Sequence, residues 1–303
     1  MQNIKFLYTK NHKIKQILND NIMINQLKTS DLDENLIEVY LKTKTSKKIY
    51  GLIKNSQYFN KNDKGINYSG IINNIKYEII FSIKQNYVYI DVKVEQISEA
   101  YELIYTMDIG LGEIEYLQSN EAYASQYLNC EVIKDTNGYN LCMRKSITQA
   151  GKNPFLQIGS LQKVTNFSTD GYQFFKTQYK ETNNVEHLAK EQLPKEVYQY
   201  EFSFIALQTE QLFGDTKQTF YFKYIENSQK LAKEEFELKT VYQNKPDFQF
   251  KENKIKRLEN QVNKVLQVKD FTTKEINELY PEQTLIEKTK EEKYLSFFTK
   301  NHA

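Results

Sequence analysis

The sequence predicts a mainly β protein built around a large antiparallel β-sandwich. From the first residues to about residue 224, apolar and polar residues alternate with a period of two, as in half-buried strands. Most of these strand-like runs follow one another with no helical pattern between them, which favours an antiparallel sandwich over a parallel α/β sheet. After about residue 225 the apolar residues recur with the period of a helix. We therefore expect a helical region after the sandwich.

The composition is that of a globular protein with little net charge. The 303 residues include 41 Lys and Arg against 39 Asp and Glu, a net charge of +2, and 14% are aromatic. Many aromatic residues and little net charge argue against disorder, and interspersed Lys and Glu argue against a nucleic-acid binder. No run approaches the roughly 20 apolar residues of a membrane span, and the N-terminus lacks the apolar core of a secretory signal. We predict a cytoplasmic protein that binds neither nucleic acid nor membrane.

The strand pattern is clearest over residues 77–95. Apolar side chains alternate with polar ones over 77–84 and again over 88–95, and Gln85 and Asn86 separate the two runs. This pattern, with its β-branched and aromatic residues, predicts an antiparallel hairpin. Similar strand-like runs cover Leu36–Leu41, Lys48–Ile53, Tyr101–Met107, Tyr139–Arg144, Tyr198–Leu207 and Thr216–Lys223.

The two cysteines flank a second predicted hairpin. Between Cys130 and Cys142, the pair Asn137-Gly138 is typical of a two-residue type I′ turn. This turn would pair Cys142 with Ile133, so that the two sulfur atoms lie on opposite faces of the sheet. We therefore expect two structural thiols with no disulfide between them, and the spacing is not that of a metal site.

The predicted helical region begins near residue 225. Residues 228–236 are charged and helix-prone, residues 251–268 carry an amphipathic pattern that starts at Ile255, and Thr272 with Glu275 forms a capping box. The change of period predicts two regions, a β-sandwich domain over 1–224 and a helical linker over 225–303.

Few residues qualify for catalysis by pattern. The chain has three histidines, His12, His187 and His302, and no two of them lie at metal-binding spacing. A Ser-His-Asp triad assembles in space and is not excluded by spacing, but no G-x-S-x-G motif is present. Gly110 and Gly112 lack the third glycine of a dinucleotide-binding loop, and we interpret them as a loop after a strand. We assign no catalytic, cofactor-binding or metal-binding residue.

The densest mixture of amides, carboxylates and aromatic rings is QSNEAYASQYLN, residues 118–129. Amides and carboxylates bridge adjacent sugar hydroxyls, and aromatic rings pack on the C–H faces of sugars. The alternative is a loop held by its own buried hydrogen bonds. A second cluster over residues 154–175 contains the turn signature Ser168–Gly171, which also fits a plain hairpin turn. The candidates for substrate binding or domain contact are Asn120, Glu121, Tyr123, Gln126, Tyr127 and Asp170.

The two roles can be divided within this segment, because alternate residues of an extended chain face opposite ways. We expect Asn120, Glu121 and Gln126 to lie exposed on one rim, and at least one of the tyrosines to be buried.

Four segments carry a resemblance to one known family. They are DIGLGEIEYLQSNEAYASQYLN (Asp108–Asn129), NGYNLCMRKS (Asn137–Ser146), PFLQIGSLQKVTNFSTDGYQFF (Pro154–Phe175) and YQYEFSFIALQTE (Tyr198–Glu210). The patterns SNEAYxSQY and STDGxQFF within them are the most specific. The segments are similar to the N-terminal part of the glycoside phosphorylases of glycoside hydrolase family 94, the relatives of cellobiose phosphorylase. Within that family they most resemble the branch that acts on β-1,2-linked glucose oligomers, the 1,2-β-oligoglucan phosphorylases.

The resemblance implies a supersandwich of the galactose-mutarotase-like type, a helical linker, an (α/α)6 catalytic barrel and a C-terminal jelly roll. Such enzymes cleave a glucosidic bond with inorganic phosphate as the co-substrate and release α-glucose 1-phosphate with inversion. One Asp of the barrel is the general acid and phosphate is the nucleophile, so no other cofactor is implied. The sequence ends before such a barrel, which leaves no residue to assign as the catalytic acid.

Two hypotheses follow from this resemblance. In the first, the chain is the non-catalytic N-terminal domain of an inverting β-glucan phosphorylase, inactive alone, with a β-glucan oligosaccharide and a barrel domain as partners. That barrel would lie in cis or on a separate chain. In the second, the chain is a free-standing carbohydrate-binding or assembly module without enzyme activity. An adjoining reading frame that encodes an (α/α)6-type helical sequence would distinguish the two.

Overall fold

The computed structural model describes residues 4–26, 36–119, 125–177, 179, 184–198, 202–228, 238–246, 250, 255–256, 283–288 and 295–299. Most of these residues lie in strands, so the prediction of a mainly β fold is confirmed. The chain divides into two compact units, Met1–Leu258 and Glu259–Ala303.

The first unit contains the strands β1 (Ile4–Tyr8), β2 (Ile14–Asn19), β3 (Ile22–Met23), β4 (Glu38–Thr43), β5 (Ile49–Gly51), β6 (Tyr58–Asn62), β7 (Gly65–Ile72), β8 (Ile75–Lys84), β9 (Tyr87–Glu95), β10 (Tyr101–Asp108), β11 (Gly112–Glu113), β12 (Leu128–Asp135), β13 (Gly138–Lys145), β14 (Phe155–Ser160), β15 (Val164–Asp170), β16 (Ser203–Thr209), β17 (Thr216–Ile225) and β18 (Ile255–Lys256). The helices whose bounds lie in the described residues are α1 (Ile114–Ser119), α2 (Gly171–Phe175), a 3-10 helix (Glu186–Ala189) and α3 (Leu238–Asn244). The second unit contains a hairpin of β19 (Gln283–Lys288) and β20 (Leu295–Thr299).

The described strands of the first unit form two sheets. The large sheet has the order β18-β6-β7-β8-β9-β17-β14-β13-β15-β16-β10-β4-β5, and β12 pairs with β13 beside this path. Its pairings are antiparallel except for one parallel contact, between Gly138 in β13 and Val164 in β15. The small sheet has the order β1-β2-β3-β11.

The large sheet curls over on itself. The rings of Tyr105 in β10 and Phe220 in β17 stack with their centroids 5.4 Å apart. Four strands separate β10 from β17 in the sheet order, so a flat sheet would hold the two residues about 24 Å apart. The curled sheet therefore encloses one core between its two halves, and the predicted antiparallel sandwich is confirmed.

The small sheet packs against the large one. Phe6 in β1 meets Phe81 in β8 edge to face, with ring centroids 6.2 Å apart. In the loop between β1 and β2, the imidazole of His12 stacks on the ring of Phe59 with the ring centroids 3.8 Å apart. The main-chain carbonyl of His12 accepts a hydrogen bond from the Tyr68 hydroxyl. His12 is thus a structural residue of the contact between the two sheets.

Two segments cover outer faces of the large sheet. Residues 171–175 and 185–193 pack over β10 and β16. Their apolar side chains, among them Phe174, Phe175 and Leu188, form one buried cluster with Phe204. On strands β9 and β17, α3 places Val241 against a cluster of tyrosines. Polar side chains beside these covers form the networks described below.

The register of the predicted cysteine hairpin is corrected by the structure. Glu131, rather than Ile133, lies opposite Cys142. The turn falls on Thr136-Asn137, because the Asp135 carboxylate accepts a hydrogen bond from the Asn137 N–H at 2.7 Å. The shift is by two residues, so the parity is unchanged, and Cys130 and Cys142 are both buried free thiols, as expected.

The turn predicted at Ser168–Gly171 is a different structure. Ser168, Thr169 and Asp170 end β15, and Gly171 begins α2. The Asp170 side chain caps this helix by accepting from the Gln173 N–H at 2.8 Å. A strand therefore passes directly into a helix here, because an aspartate in an extended conformation is also a good N-cap.

Beyond residue 225 the described residues are only partly helical. Helix α3 is present, but Ile255 and Lys256 form β18, which pairs with β6. The amphipathic helix predicted from Ile255 is therefore wrong at its start, because pairing with a sheet edge overrides the local pattern. Ser228, the first residue of the helix predicted over 228–236, is not helical. The other residues of that helix, the remaining residues of the amphipathic pattern and the capping box lie outside the described residues. The domain division at 224 and 225 stays a prediction.

The strand predicted over Tyr198–Leu207 is also corrected. It begins at Ser203, and Tyr198 lies in irregular chain. The hydroxyl of Thr169 accepts a hydrogen bond from the Tyr198 N–H at 2.8 Å and donates one to the Tyr198 carbonyl. These bonds replace the ladder hydrogen bonds of a strand at this position.

Candidate functional site

The polar segment predicted to contact sugar begins in a helix. Its first two residues end α1, and Ser125 and Gln126 are also helical, so the segment is less extended than expected. The side chain of Gln126 is exposed and that of Tyr127 is half-buried. The carbonyl of Tyr127 accepts hydrogen bonds from both the N–H and the hydroxyl of Ser146. Asn120, Glu121 and Tyr123 lie outside the described residues, so their positions stay a prediction.

Asp170 does not face a binding surface. It is 4% exposed, and one carboxylate oxygen is occupied by the N-cap hydrogen bond of α2. Phe202 packs so tightly over the next residue that a Cβ at Gly171 would lie 2.1 Å from its ring. The structure thus gives Asp170 a structural role, and it does not bring this residue together with Gln126 and Tyr127 in any described contact.

A buried lysine stands behind the polar segment. Lys145 pairs with Leu128 across β12 and β13, is fully buried, and holds its ammonium 4.9 Å from the ring centre of Tyr116 in α1. Burial lowers the pKa of Lys145 to about 7, because a charged amine loses its hydration in the core. Lys145 thus titrates near neutral pH, directly beneath α1.

A cleft of about 230 Å³ opens beside β4 and β5. We call it the Glu38 cleft; its lining includes Glu38, Tyr40, Tyr50, Asn55, Tyr179, Asn184 and Glu186.

Glu38 is the polar centre of this cleft. It is 5% exposed, and its carboxylate accepts three main-chain hydrogen bonds, from Val39 at 2.8 Å, Ile53 at 2.6 Å and Lys54 at 2.8 Å. Burial raises the pKa of the Glu38 carboxyl above its usual range, and the three N–H donors oppose that shift. A Cβ at Gly51 would lie 3.0 Å from one carboxylate oxygen, Oε2, so a side chain at this position would crowd that oxygen.

A second buried network joins β4, β10 and β16. Lys42 is 2% exposed, and its ammonium donates to the Glu191 carbonyl and lies 3.4 Å from the Glu102 carboxylate. Lys44 pairs with the same carboxylate at 2.5 Å, and the Gln208 amide donates to it at 2.6 Å. Burial lowers the pKa of Lys42, and Glu102 opposes that shift. The partners of Glu102 in this network are Lys42, Lys44 and Gln208. The bond from Lys42 to the Glu191 carbonyl holds the covering segment to the sheet.

The described part of the chain offers neither a metal-binding cluster nor a membrane-spanning helix. Those residues contain no group of three or more His, Cys, Asp or Glu side chains arranged to hold a metal ion. Within the same ranges, no helix is long and apolar enough to cross a membrane.

The curled antiparallel sheet, its covered outer faces and the polar side chains among tyrosine rings define a large β-sandwich domain. The particular family follows from the sequence: the chain belongs to the SOGP N-terminal domain family, whose pattern matches residues 7–224.

One relative is a 1,2-beta-oligoglucan phosphorylase of Listeria innocua serovar 6a, which is 30% identical over 286 residues. The match covers 93% of this chain and 26% of the relative, so the chain spans about a quarter of that protein's length.

The solved structures to which this chain is similar are much more distant in sequence. A bacterial glucoamylase in complex with acarbose is 12% identical, with a TM-score of 0.48 over 80% of this chain and 34% of that chain. A polysaccharide lyase is 8% identical, with a TM-score of 0.47 over 75% of this chain and 33% of its own.

Sequence reasoning missed both Lys145 and Glu38 as site residues. Lys145 occupies an apolar position in the alternation of β13, two residues after Met143 and at the end of the strand, and that break of pattern was a usable signal. Glu38 gives no such signal, because its donors at positions 53 and 54 are brought to it only by the pairing of β4 with β5.

Proposed function

We propose that this chain is the N-terminal, non-catalytic domain of an inverting β-glucan phosphorylase. The observation that carries the proposal is the family match over residues 7–224 together with the 30% identity to an oligoglucan phosphorylase. The proposed substrate is a β-glucan oligosaccharide, with β-1,2 linkages as in the name of that relative, and inorganic phosphate is the proposed co-substrate. The proposed product is α-glucose 1-phosphate, and the proposed location is the cytoplasm.

The contacts of the buried carboxylates support a scaffolding role. Glu38 is held by three main-chain donors, Glu102 by two lysines and an amide, and Asp170 by the first turn of α2. A general acid needs a carboxyl group that can reach the leaving oxygen of the substrate. Each of these three carboxylates is buried, at 4–6% exposure, and is held in place by donors of the fold. The proposal therefore assigns the general acid to a barrel domain of the family 94 type.

The domain's proposed task is to complete or cover the sugar site of that barrel. Gln126 is the exposed polar side chain of the described part of the SNEAYASQY segment, and its exposure supports a contact outside the sandwich. In this proposal Asn120, Glu121 and Gln126 form the contact rim, and Tyr127, tied to Ser146, anchors the segment.

The test is a phosphorolysis assay on the 303-residue chain, alone and co-expressed with the remaining part of the Listeria relative. With β-1,2-linked glucose oligomers and phosphate, we expect glucose 1-phosphate release only when both parts are present. Because general acid catalysis contributes about 10²–10⁴-fold, the chain alone should stay at background. Turnover by the chain alone contradicts the proposal. Sugar binding by the chain, with no effect on the complementing part, would indicate a free-standing carbohydrate-binding module instead.

A further inference from the structure

We infer that the Glu38 cleft binds one glucosyl unit of an oligosaccharide. The inference rests on the proposed carbohydrate role, and it names a site that neither the sequence patterns nor the family match assigns. Four features of the cleft support this assignment: its aromatic walls, its fixed central acceptor, its polar rim and its volume.

The aromatic walls come from three different segments. Tyr40 lies in β4, Tyr50 lies in β5, and Tyr179 follows α2; all three line the cleft and are half-buried. The rings of Tyr40 and Tyr179 also pack against Phe174 and Phe175, so the Tyr50 ring is the surface that would pack on the apolar C–H face of a pyranose. The Tyr50 hydroxyl accepts a hydrogen bond from the Asn73 amide, so its own proton remains available to donate.

The central acceptor is the Glu38 carboxylate. Three main-chain N–H groups fix its position, and two of them share one oxygen, Oε1. The other oxygen, Oε2, accepts one bond, from Lys54 N–H, and has a second lone pair available. Gly51 leaves space beside this oxygen. A sugar hydroxyl that donates to Oε2 would meet an acceptor that needs no reorganisation, which favours binding.

The polar rim suits a polyol better than an apolar ligand. Asn55, Asn184 and Glu186 are exposed at the edge of the cleft. The amide of Asn184 contacts the Glu186 carboxylate at 3.3 Å, so a carboxylate and an amide stand side by side. Such a pair can accept from one hydroxyl and donate to its neighbour, which is the pattern that vicinal sugar hydroxyls present.

The size of the cleft limits its occupant. Its volume of about 230 Å³ lies below the roughly 300–1,000 Å³ of pockets for drug-sized ligands. A cleft of this volume accommodates one sugar ring, whereas a longer saccharide would extend beyond the rim. We therefore expect weak binding of a single unit, strengthened when that unit belongs to a chain.

The experiment titrates the 303-residue chain with β-1,2-linked glucotriose by calorimetry and by saturation-transfer NMR. We expect saturable binding by the wild-type chain, weakened about tenfold by Tyr50→Ala because the variant removes the ring contact; tenfold corresponds to about 1.4 kcal/mol. Glu186→Gln keeps the shape and should also weaken binding several-fold, because it removes a charged acceptor. Tyr198→Ala is the matched control: Tyr198 is similarly large and 47% exposed, and it does not line the cleft.

Thermal melting of each variant separates binding from folding. If Tyr50→Ala unfolds, the exposed Glu186→Gln still tests the site. Absence of saturable binding by folded wild-type chain overturns the inference, as does equal affinity in the wild type and Glu186→Gln. A chain that supports phosphorolysis with its complement but binds no glucotriose alone would overturn the cleft and leave the proposed function standing. A chain that binds glucotriose but does not restore phosphorolysis with its complement would support the cleft and contradict the proposed function.

Discussion

The hydroxyl of Tyr89 in β9 donates a 2.8 Å hydrogen bond to the main-chain carbonyl of Val241 in α3. The two residues are 152 positions apart in sequence, and Val241 is 1% exposed against the tyrosine cluster. Close by, the Tyr242 hydroxyl donates to the Leu161 carbonyl, and Lys245 pairs with Asp91 at 2.6 Å. The segment that follows the last central strand is therefore docked on the sandwich rather than leading directly away from it.

Lys245→Ala should loosen this docked segment. The ammonium also donates to the Thr219 hydroxyl at 2.7 Å, and it is 24% exposed, so we expect a loss of about 1 kcal/mol in the free energy of unfolding. Lys217→Ala is the control, because Lys217 reaches the same carboxylate at 3.8 Å but is 61% exposed. Urea denaturation measures both variants. Equal losses in the two variants would contradict the docking contact.

Lys145→Met should change how stability depends on pH. Because the folded pKa is lowered to about 7 from an unfolded value near 10.4, the unfolded chain binds more protons between these values. Stability of the wild type therefore rises as pH increases through this window and gains nothing from this group below pH 7. Lys145→Met should lack this rise.

The measurement is urea denaturation at pH 7, 8 and 9. Relative to Lys145→Met, the wild type should gain on the order of 2 kcal/mol across these two pH units. At pH 7 the variant should be the more stable protein, because it buries a methyl group where the wild type buries an amine. Parallel pH profiles for the two proteins would refute the shifted pKa.

Glu38→Gln tests the three main-chain hydrogen bonds of the cleft. The amide retains one oxygen, but its NH2 group would face a main-chain donor, so at least one buried N–H loses its acceptor. We expect a loss of about 2 kcal/mol in unfolding free energy. Glu186 lines the same cleft but is exposed, so Glu186→Gln should change the free energy of unfolding by less than about 0.5 kcal/mol. Chemical denaturation at pH 7 compares them; a loss at Glu38 no larger than at Glu186 would contradict the assignment.

Gly138→Ala tests the corrected turn. Gly138 has φ +99, and a Cβ there would lie 1.8 Å from the carbonyl oxygen of Val164. We expect a loss of at least about 3 kcal/mol in the free energy of unfolding, because the main chain of both β13 and β15 would have to move. Gly151→Ala is the matched control, with φ +74 and no atom within 4 Å, and it should cost about 1 kcal/mol from backbone strain alone. Thermal unfolding ranks them, and similar melting temperatures would argue against the Gly138 contact.

Local pattern predicted those parts of the fold in which local and tertiary preferences agree. The hairpin of β8 and β9 turns at Gln85 and Asn86 as predicted, with Lys84 opposite Tyr87. The cysteine hairpin kept its two faces even though its register moved by two, because a shift by an even number preserves which side chains point inward. Its turn was misplaced because the side chain of Asp135 makes a hydrogen bond that a dipeptide signature does not include.

The candidate site was harder to predict, since it depends on contacts between distant segments. Gln126 is exposed as expected, but the N-cap role of Asp170 required knowing that a helix follows β15. Glu38 meets Ile53 and Lys54 only after β4 and β5 pair. Ile255 joins the edge of a sheet that is complete only in the folded chain. No period in the sequence encodes such encounters.

The place of β17 in the large sheet bears on how the protein is made. This strand, Thr216–Ile225, lies between β9 and β14 and pairs with both along its length. During synthesis β9 emerges more than a hundred residues earlier, an interval on the order of ten seconds at typical elongation rates. Until β17 arrives, the nascent chain exposes two unpaired edges that can aggregate. We expect the growing polypeptide to depend on chaperones until residue 225 has left the ribosome, and premature termination before that point to yield insoluble product.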